Sequence, residues 1–151
     1  MTMGTHIARL RPPGALARLR DTALRRATHP FAWGTSDCVT WAADAVWALT
    51  GRDPMADLRG AYFSARGAAR VCIAHGGMPA MLDARLPAGR IAAAWAIDGD
   101  VCLLRADAHE RSLPELGALG VLWRGSLVVQ GAAGLVVDDV AMAAQWWRVA
   151  P

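Results

Sequence analysis

The residue best placed for chemistry in this sequence is Cys38, which closes the turn Trp33-Gly34-Thr35-Ser36-Asp37 and opens a segment of helical period. A thiol in the first turn of a helix faces the positive end of the macrodipole and unpaired backbone N–H groups. Both stabilise thiolate, lower the thiol pKa and favour nucleophilic attack. The same position also suits a small buried hydrophobe, so Cys38 alone does not decide between the two. A base would have to come from His6, His29, His75 or His109. The first two belong to the basic N-terminal part, and His75 stands at a helix end before Gly76-Gly77, where its cation suits the C-terminal pole. His109 lies in the charged loop Asp107 to Arg111 and is the candidate for a substitute base. Asp37 and Asp100 occupy cap and turn positions, where a carboxylate bonds local N–H groups. Cys72-x-x-His75 has the spacing of metal ligands, yet Cys72 falls among Val71, Ile73 and Ala74 on an apolar stripe, and no metal is expected. Neither Gly76-Gly77 nor Gly131 to Gly134 has the flanking lysine and strand-to-helix context of a phosphate cradle, so no cofactor is implied.

The elements that must position these residues follow from periodicity. Ala15 to Ala27 reads as an amphipathic helix with Leu16, Leu19, Ala23 and Leu24 on one stripe. His29-Pro30 interrupts it. From Cys38 to Leu49 the apolar residues Cys38, Trp41, Ala42, Ala45, Val46 and Leu49 recur with helical spacing, capped by Ser36 or Asp37 and stopped at Thr50-Gly51. Asp53-Pro54 offers another cap followed by proline at a first helical position. Ser64 opens a helix through Ala74, and Met78-Pro79 begins a short one. From Ile91 onward the texture changes to short apolar runs between turns. Val101 to Leu104, Leu119 to Trp123, Leu127 to Gln130, Leu135 to Val137 and Trp146 to Val149 read as strands of a meandering antiparallel sheet. Helices first and strands later predict an α+β fold, with the helix of Cys38 packed on the sheet.

Composition sets the outer bounds. With 151 residues, 54% hydrophobic and 19% charged, the chain has the size and apolar content of one ordered domain. No apolar run approaches the roughly 20 residues of a membrane span, and the N-terminal residues lack a secretion-type apolar core, so synthesis and folding in the cytoplasm are expected. Three widely spaced cysteines in such a chain read as free thiols. The net charge of +3 arises largely in the N-terminal segment, where Arg9, Arg11, Arg18, Arg20, Arg25 and Arg26 face only Asp21. An amphipathic helix explains that asymmetry better than nucleic-acid binding, because no aromatic residues are interleaved with the arginines and no recognition module is present. The seven tryptophans sit mostly in apolar periodic segments, as core or interface packing does.

Taken together, Trp33-Gly34-x-x-Asp37-Cys38, Thr50-Gly51-x-Asp53-Pro54, Arg59-Gly60-x-Tyr62, Gly76-Gly77, Gly99-Asp100-Val101, Leu119-Gly120-Val121 and Trp147-Arg148-Val149 resemble the NlpC-type branch of the papain-like cysteine peptidase superfamily, in a form encoded by tailed phages and prophages. The resemblance spans about residues 30–149. It implies a papain-like fold over 30–151 behind a basic helical segment, 1–29, with Cys38 in the nucleophile position. In active members the strand after Gly-Asp begins with a histidine that serves as base; here that position is Ala118, ahead of Leu119-Gly120-Val121. The third polar position of the family, which orients the histidine, corresponds to Gln130. Amide cleavage requires protonation of the leaving amine, which a helix dipole cannot provide. The resemblance therefore implies a structural or interaction component of a long-tailed phage tail tip, located in the virion tail and bound to other tail-tip proteins, with degenerate catalysis. The alternative is an active peptidoglycan endopeptidase acting in cell-wall penetration.

Overall fold

The computed structural model describes residues 10–105 and 117–151. Helix α1 (Ala15–Arg26) presents Ala15, Leu19 and Arg26 to the interior. Helix α2 (Cys38–Thr50) is the central element. Asp37 is its N-cap, its carboxylate accepting from the Thr40 N–H while the Thr40 hydroxyl accepts from the Asp37 N–H, a reciprocal capping box. Gly51 at φ 77° ends the helix in the left-handed conformation that favours glycine. Because α2 is wedged between α1 and the sheet, residues on nearly all its sides are buried, including Val39, Trp41, Ala42, Ala45, Val46 and Leu49. Helix α3 (Ala65–Ala74) is capped by Ser64 through the Gly67 N–H, and α4 (Met78–Arg85) follows Gly77. The Asp53-Pro54 segment differs from the expected helical start. Asp53 accepts from Met55 N–H at 3.0 Å and from Arg59 at 2.7 Å, and the chain there winds through successive turns.

The described strands are β1 (Arg90–Ile91), β2 (Val101–Leu104), β3 (Leu119–Trp123), β4 (Ser126–Gln130), β5 (Leu135–Asp138) and β6 (Ala143–Trp147). They form one antiparallel sheet in the order β1-β6-β2-β3-β4-β5. The run β2 to β5 is the expected meander, but β6 returns to lie between β1 and β2. The last strand also begins three residues earlier than Trp146, at Ala143, a start that the weak strand preference of Ala-Ala-Gln conceals. The fold is thus α+β, with most described helices preceding the sheet. Both sheet faces are apolar. Val101, Leu119, Val121 and Trp147 join the helix-side core. Cys102, Leu104, Leu122, Leu127, Val129 and Trp146 form a second cluster. This explains why the strands read as continuous apolar runs instead of alternating ones. Trp41 ties the layers together: its ring is buried and its Nε1 donates to the Val128 carbonyl at 2.9 Å. Among the described residues no helix is long and apolar enough to cross a membrane.

Candidate functional site

The turn before α2 is held by backbone geometry that only glycine allows. Gly34 has φ 81°, and a Cβ there would stand 2.0 Å from the Tyr62 carbonyl oxygen. The close approach places Tyr62 over the turn, where its hydroxyl donates to Asp37 Oδ2 at 2.6 Å. The same oxygen accepts from the Gly34 N–H at 2.8 Å, and Oδ1 accepts from the Thr40 N–H at 2.9 Å. Asp37 is therefore a buried structural acceptor with both oxygens engaged, as its cap position predicts. Trp33, half-buried, packs edge-to-face on Phe31 with ring centroids 4.7 Å apart.

Cys38 is the first residue of α2 and is half-buried in a tightly packed surrounding. Its sulfur meets the start of β3, where the Leu119 backbone N–H bonds it. Ala118 is buried immediately before that amide. The cleft at the sulfur measures ≈ 20 Å³, room for about one water. Trp33, Tyr62, Cys72, Met78 and Met81 line it, with no histidine among the described lining residues. Burial, and then the neighbouring Asp37 carboxylate, push the Cys38 thiol up to about 12 despite the Leu119 N–H. This overturns the expectation of a lowered thiol pKa, because desolvation and a like charge outweigh the helix terminus. Cys72 is shifted upward by the same two causes and belongs to the apolar wall. His75, by contrast, is exposed, with Nδ1 2.8 Å from the Val71 carbonyl oxygen and Nε2 3.2 Å from Arg85. The pair Cys72 and His75 is thus split between wall and surface, and no group of three His, Cys, Asp or Glu side chains gathers among the described residues. His109 lies outside the described residues.

Gln130 is buried and its amide is engaged. Nε2 donates to the His29 and Gly131 carbonyls at 3.0 Å each, and Oε1 accepts from Arg26 Nε at 3.0 Å. Arg26 is the hub on this side. It donates to Asp44 Oδ2 at 2.6 Å, to Thr40 Oγ1 at 2.8 Å and to the Asp37 carbonyl at 2.9 Å, while Asp44 also pairs with Arg59. Sequence patterning presents Arg26 as one more solvated arginine. The available signal is its position on the Ala15–Leu19 face of α1. Asp100 forms a second clamp: buried, it accepts from the Ile97 and Val149 N–H groups and from Arg11 at 2.9 Å. Gly99, at φ 94°, lets this turn approach Leu49 and Arg11, where a Cβ would stand 2.5 Å from Leu49 Cδ1. Gly120 faces Cys102 within β3, a Cβ there lying 3.2 Å from the sulfur. Gly34, Asp37, Gly99 and Asp100 thus gather around the two ends of α2, mainly to fix backbone, while Gly120 sits against Cys102 on the other sheet face. Arg11, Arg26, Thr40 and Asp44 complete the arrangement and escaped pattern analysis, and Tyr62, seen there only as a motif residue, turns out to cap Asp37.

As a chemical device, the cleft offers a protonated, confined thiol with one backbone donor beside it, no imidazole within the described lining, and a neighbouring Asp37 carboxylate whose oxygens are both committed to the capping turn. The chain belongs to the family described as domain of unknown function DUF6950, whose profile matches residues 11–149. No curated protein matches it. The match begins at Arg11 and so takes in α1, in keeping with the clamps of Arg11, just ahead of the helix, and Arg26, at its end, which tie this segment to the rest.

Proposed function

We propose that this protein is a structural or interaction component of the tail tip of a long-tailed phage, built on a papain-like, NlpC-type framework whose catalytic centre has degenerated. The observation that carries the degenerate half of the reading is the closed cleft at Cys38, with a thiol pushed up to about 12 and alanine where the family's histidine would stand. The tail assignment rests on the combined motifs from Trp33 to Val149. An active peptidoglycan endopeptidase draws support from the placement of Cys38 on the first turn of α2, but this thiol would need both a wider cleft and an acid–base group. Two measurements test the halves separately. Mass spectrometry of purified virions is expected to detect the chain, and its absence there overturns the tail reading. Muropeptide turnover is expected to be the same, at background, for wild type and Cys38→Ala; turnover lost in Cys38→Ala and in His109→Ala overturns the degenerate reading.

A further inference from the structure

We propose that the cavity between the end of α2, the end of α4 and the chain after β6 is a binding subsite for a phosphate group, held by Arg52, Arg85 and Arg148. The cavity measures ≈ 170 Å³, well above the cleft at Cys38, and the three arginines enter its lining from three separate segments. Asp53 is the one carboxylate among the described lining residues. Its Oδ1 accepts from the Met55 N–H and its Oδ2 from Arg59, so both oxygens are already engaged.

An unbalanced charge points to the ligand. The Arg148 side chain is only 11% exposed, and its ion-pair partner Asp100 is fully buried. That partner is shared. Asp100 Oδ1 accepts from Arg11 and the Val149 N–H, and Oδ2 accepts from the Ile97 N–H, which leaves Arg148 Nε a loose contact of 3.4 Å. Two recessed arginines therefore meet one carboxylate. Arg148 Nη2 donates to the Trp95 carbonyl, while Nη1 has no hydrogen-bond partner among the described residues. A recessed cation with an idle donor is costly to leave uncompensated, and the cavity is the space that Arg148 lines. Arg52 adds an exposed guanidinium that has no side-chain partner among the described residues, and Arg85 adds a third, paired with exposed Asp57. The donors select the anion. A single guanidinium fork satisfies the two oxygens of a carboxylate, whereas forks arriving from three segments match a doubly charged anion with oxygens on several sides. The inference stands independently of the tail-tip reading, because it rests on this cavity alone.

Isothermal titration calorimetry of the full chain with inorganic phosphate, at constant ionic strength and near-neutral pH, is expected to show saturable binding with Kd on the order of 1 mM or tighter. Arg52→Ala, at an exposed site, is expected to weaken it at least about tenfold with an unchanged thermal transition in the absence of phosphate. Arg52→Lys is expected to recover part of that loss by restoring the charge without the fork. Arg20→Ala, on the outer face of α1, is expected to leave binding unchanged, and acetate is expected not to compete. Glycerol phosphate separates the sources of the group. Binding tighter than that of the free ion assigns the subsite to a phosphate ester, weaker binding assigns it to inorganic phosphate, and either upholds it. No saturable binding up to about 10 mM phosphate overturns the proposal. So does binding that survives Arg52→Ala, an Arg20→Ala loss as large as that of Arg52→Ala, or acetate competing as well as phosphate.

Discussion

Arg26 and Cys38 lie on opposite sides of the same peptide, the carbonyl of Asp37, and their surroundings could hardly differ more. On the Arg26 side, all three guanidinium nitrogens find oxygen partners at 2.6–3.0 Å from four residues of three different segments. On the Cys38 side the sulfur has an apolar wall, a Leu119 backbone donor and room for about one water. Polar organisation in this fold serves to fasten α1 and the capping turn. None of the described residues equips the thiol for acid–base chemistry. In an enzyme of this architecture the balance would be reversed, with the most exacting polar geometry converging on the nucleophile.

The largest effect should come from breaking the ordered side. Arg26→Met strands Asp44, Gln130 and the Thr40 hydroxyl without their shared donor, and urea denaturation is expected to register a loss of about 3–5 kcal/mol. An effect below about 1 kcal/mol would show that the clamp is not a stabilising unit. Next comes Tyr62→Phe, which removes the 2.6 Å bond to the Asp37 carboxylate. Hydrogen bonds to charged groups typically contribute about 1.5–3 kcal/mol, and a loss in that range is expected in the same assay.

A third substitution addresses the other side of the comparison. Ala118→His restores an imidazole beside the Leu119 amide, but Ala118 is buried and the cleft has no room for the ring. A destabilisation of about 1–3 kcal/mol without muropeptide turnover is expected. Turnover dependent on Cys38 would show instead that the centre lacks only its base. The smallest effect lies far from α2. Hydrogen bonds from Arg90 and then Trp147 hold the Asp83 carboxyl down at about 2, below its ordinary 3.8. A depressed carboxyl contributes stability above its unfolded pKa and loses it as pH falls through the folded one. An acid titration is therefore expected to show a modest decline between about pH 4 and pH 2 that Asp83→Asn removes.

The helices that frame the candidate site were legible because their caps and periods agree. Asp37 begins α2, Gly51 ends it, and Ser64 caps α3 as the cap rules predict. The β2 and β3 ranges were equally plain, since each is an apolar run between turn residues. What stayed hidden was long-range. The two residues of β1 carry too little pattern to be seen, and β6 is recognised as a strand by its neighbours β1 and β2 more than by Ala143-Ala144-Gln145. The clamps were hidden for a similar reason. An arginine beside other arginines reads as surface, and only the tertiary partners of Arg11 and Arg26, 89 and 104 residues away at Asp100 and Gln130, bury them. The thiol pKa was misjudged because the helix terminus is a local feature of sequence, whereas the desolvation that overrides it comes from Tyr62, Cys72 and the start of β3.

The central claim, that the fold confines and protonates Cys38 instead of activating it, is tested most directly by the pH dependence of Cys38 alkylation. Peptide-resolved mass spectrometry separates its modification from that of Cys72 and Cys102. The account predicts slow modification at neutral pH that rises continuously into the alkaline range without reaching a plateau below about 12, since the thiolate forms only there. A plateau reached below the ordinary thiol pKa of about 8.5 would reveal an activated thiolate and contradict the account.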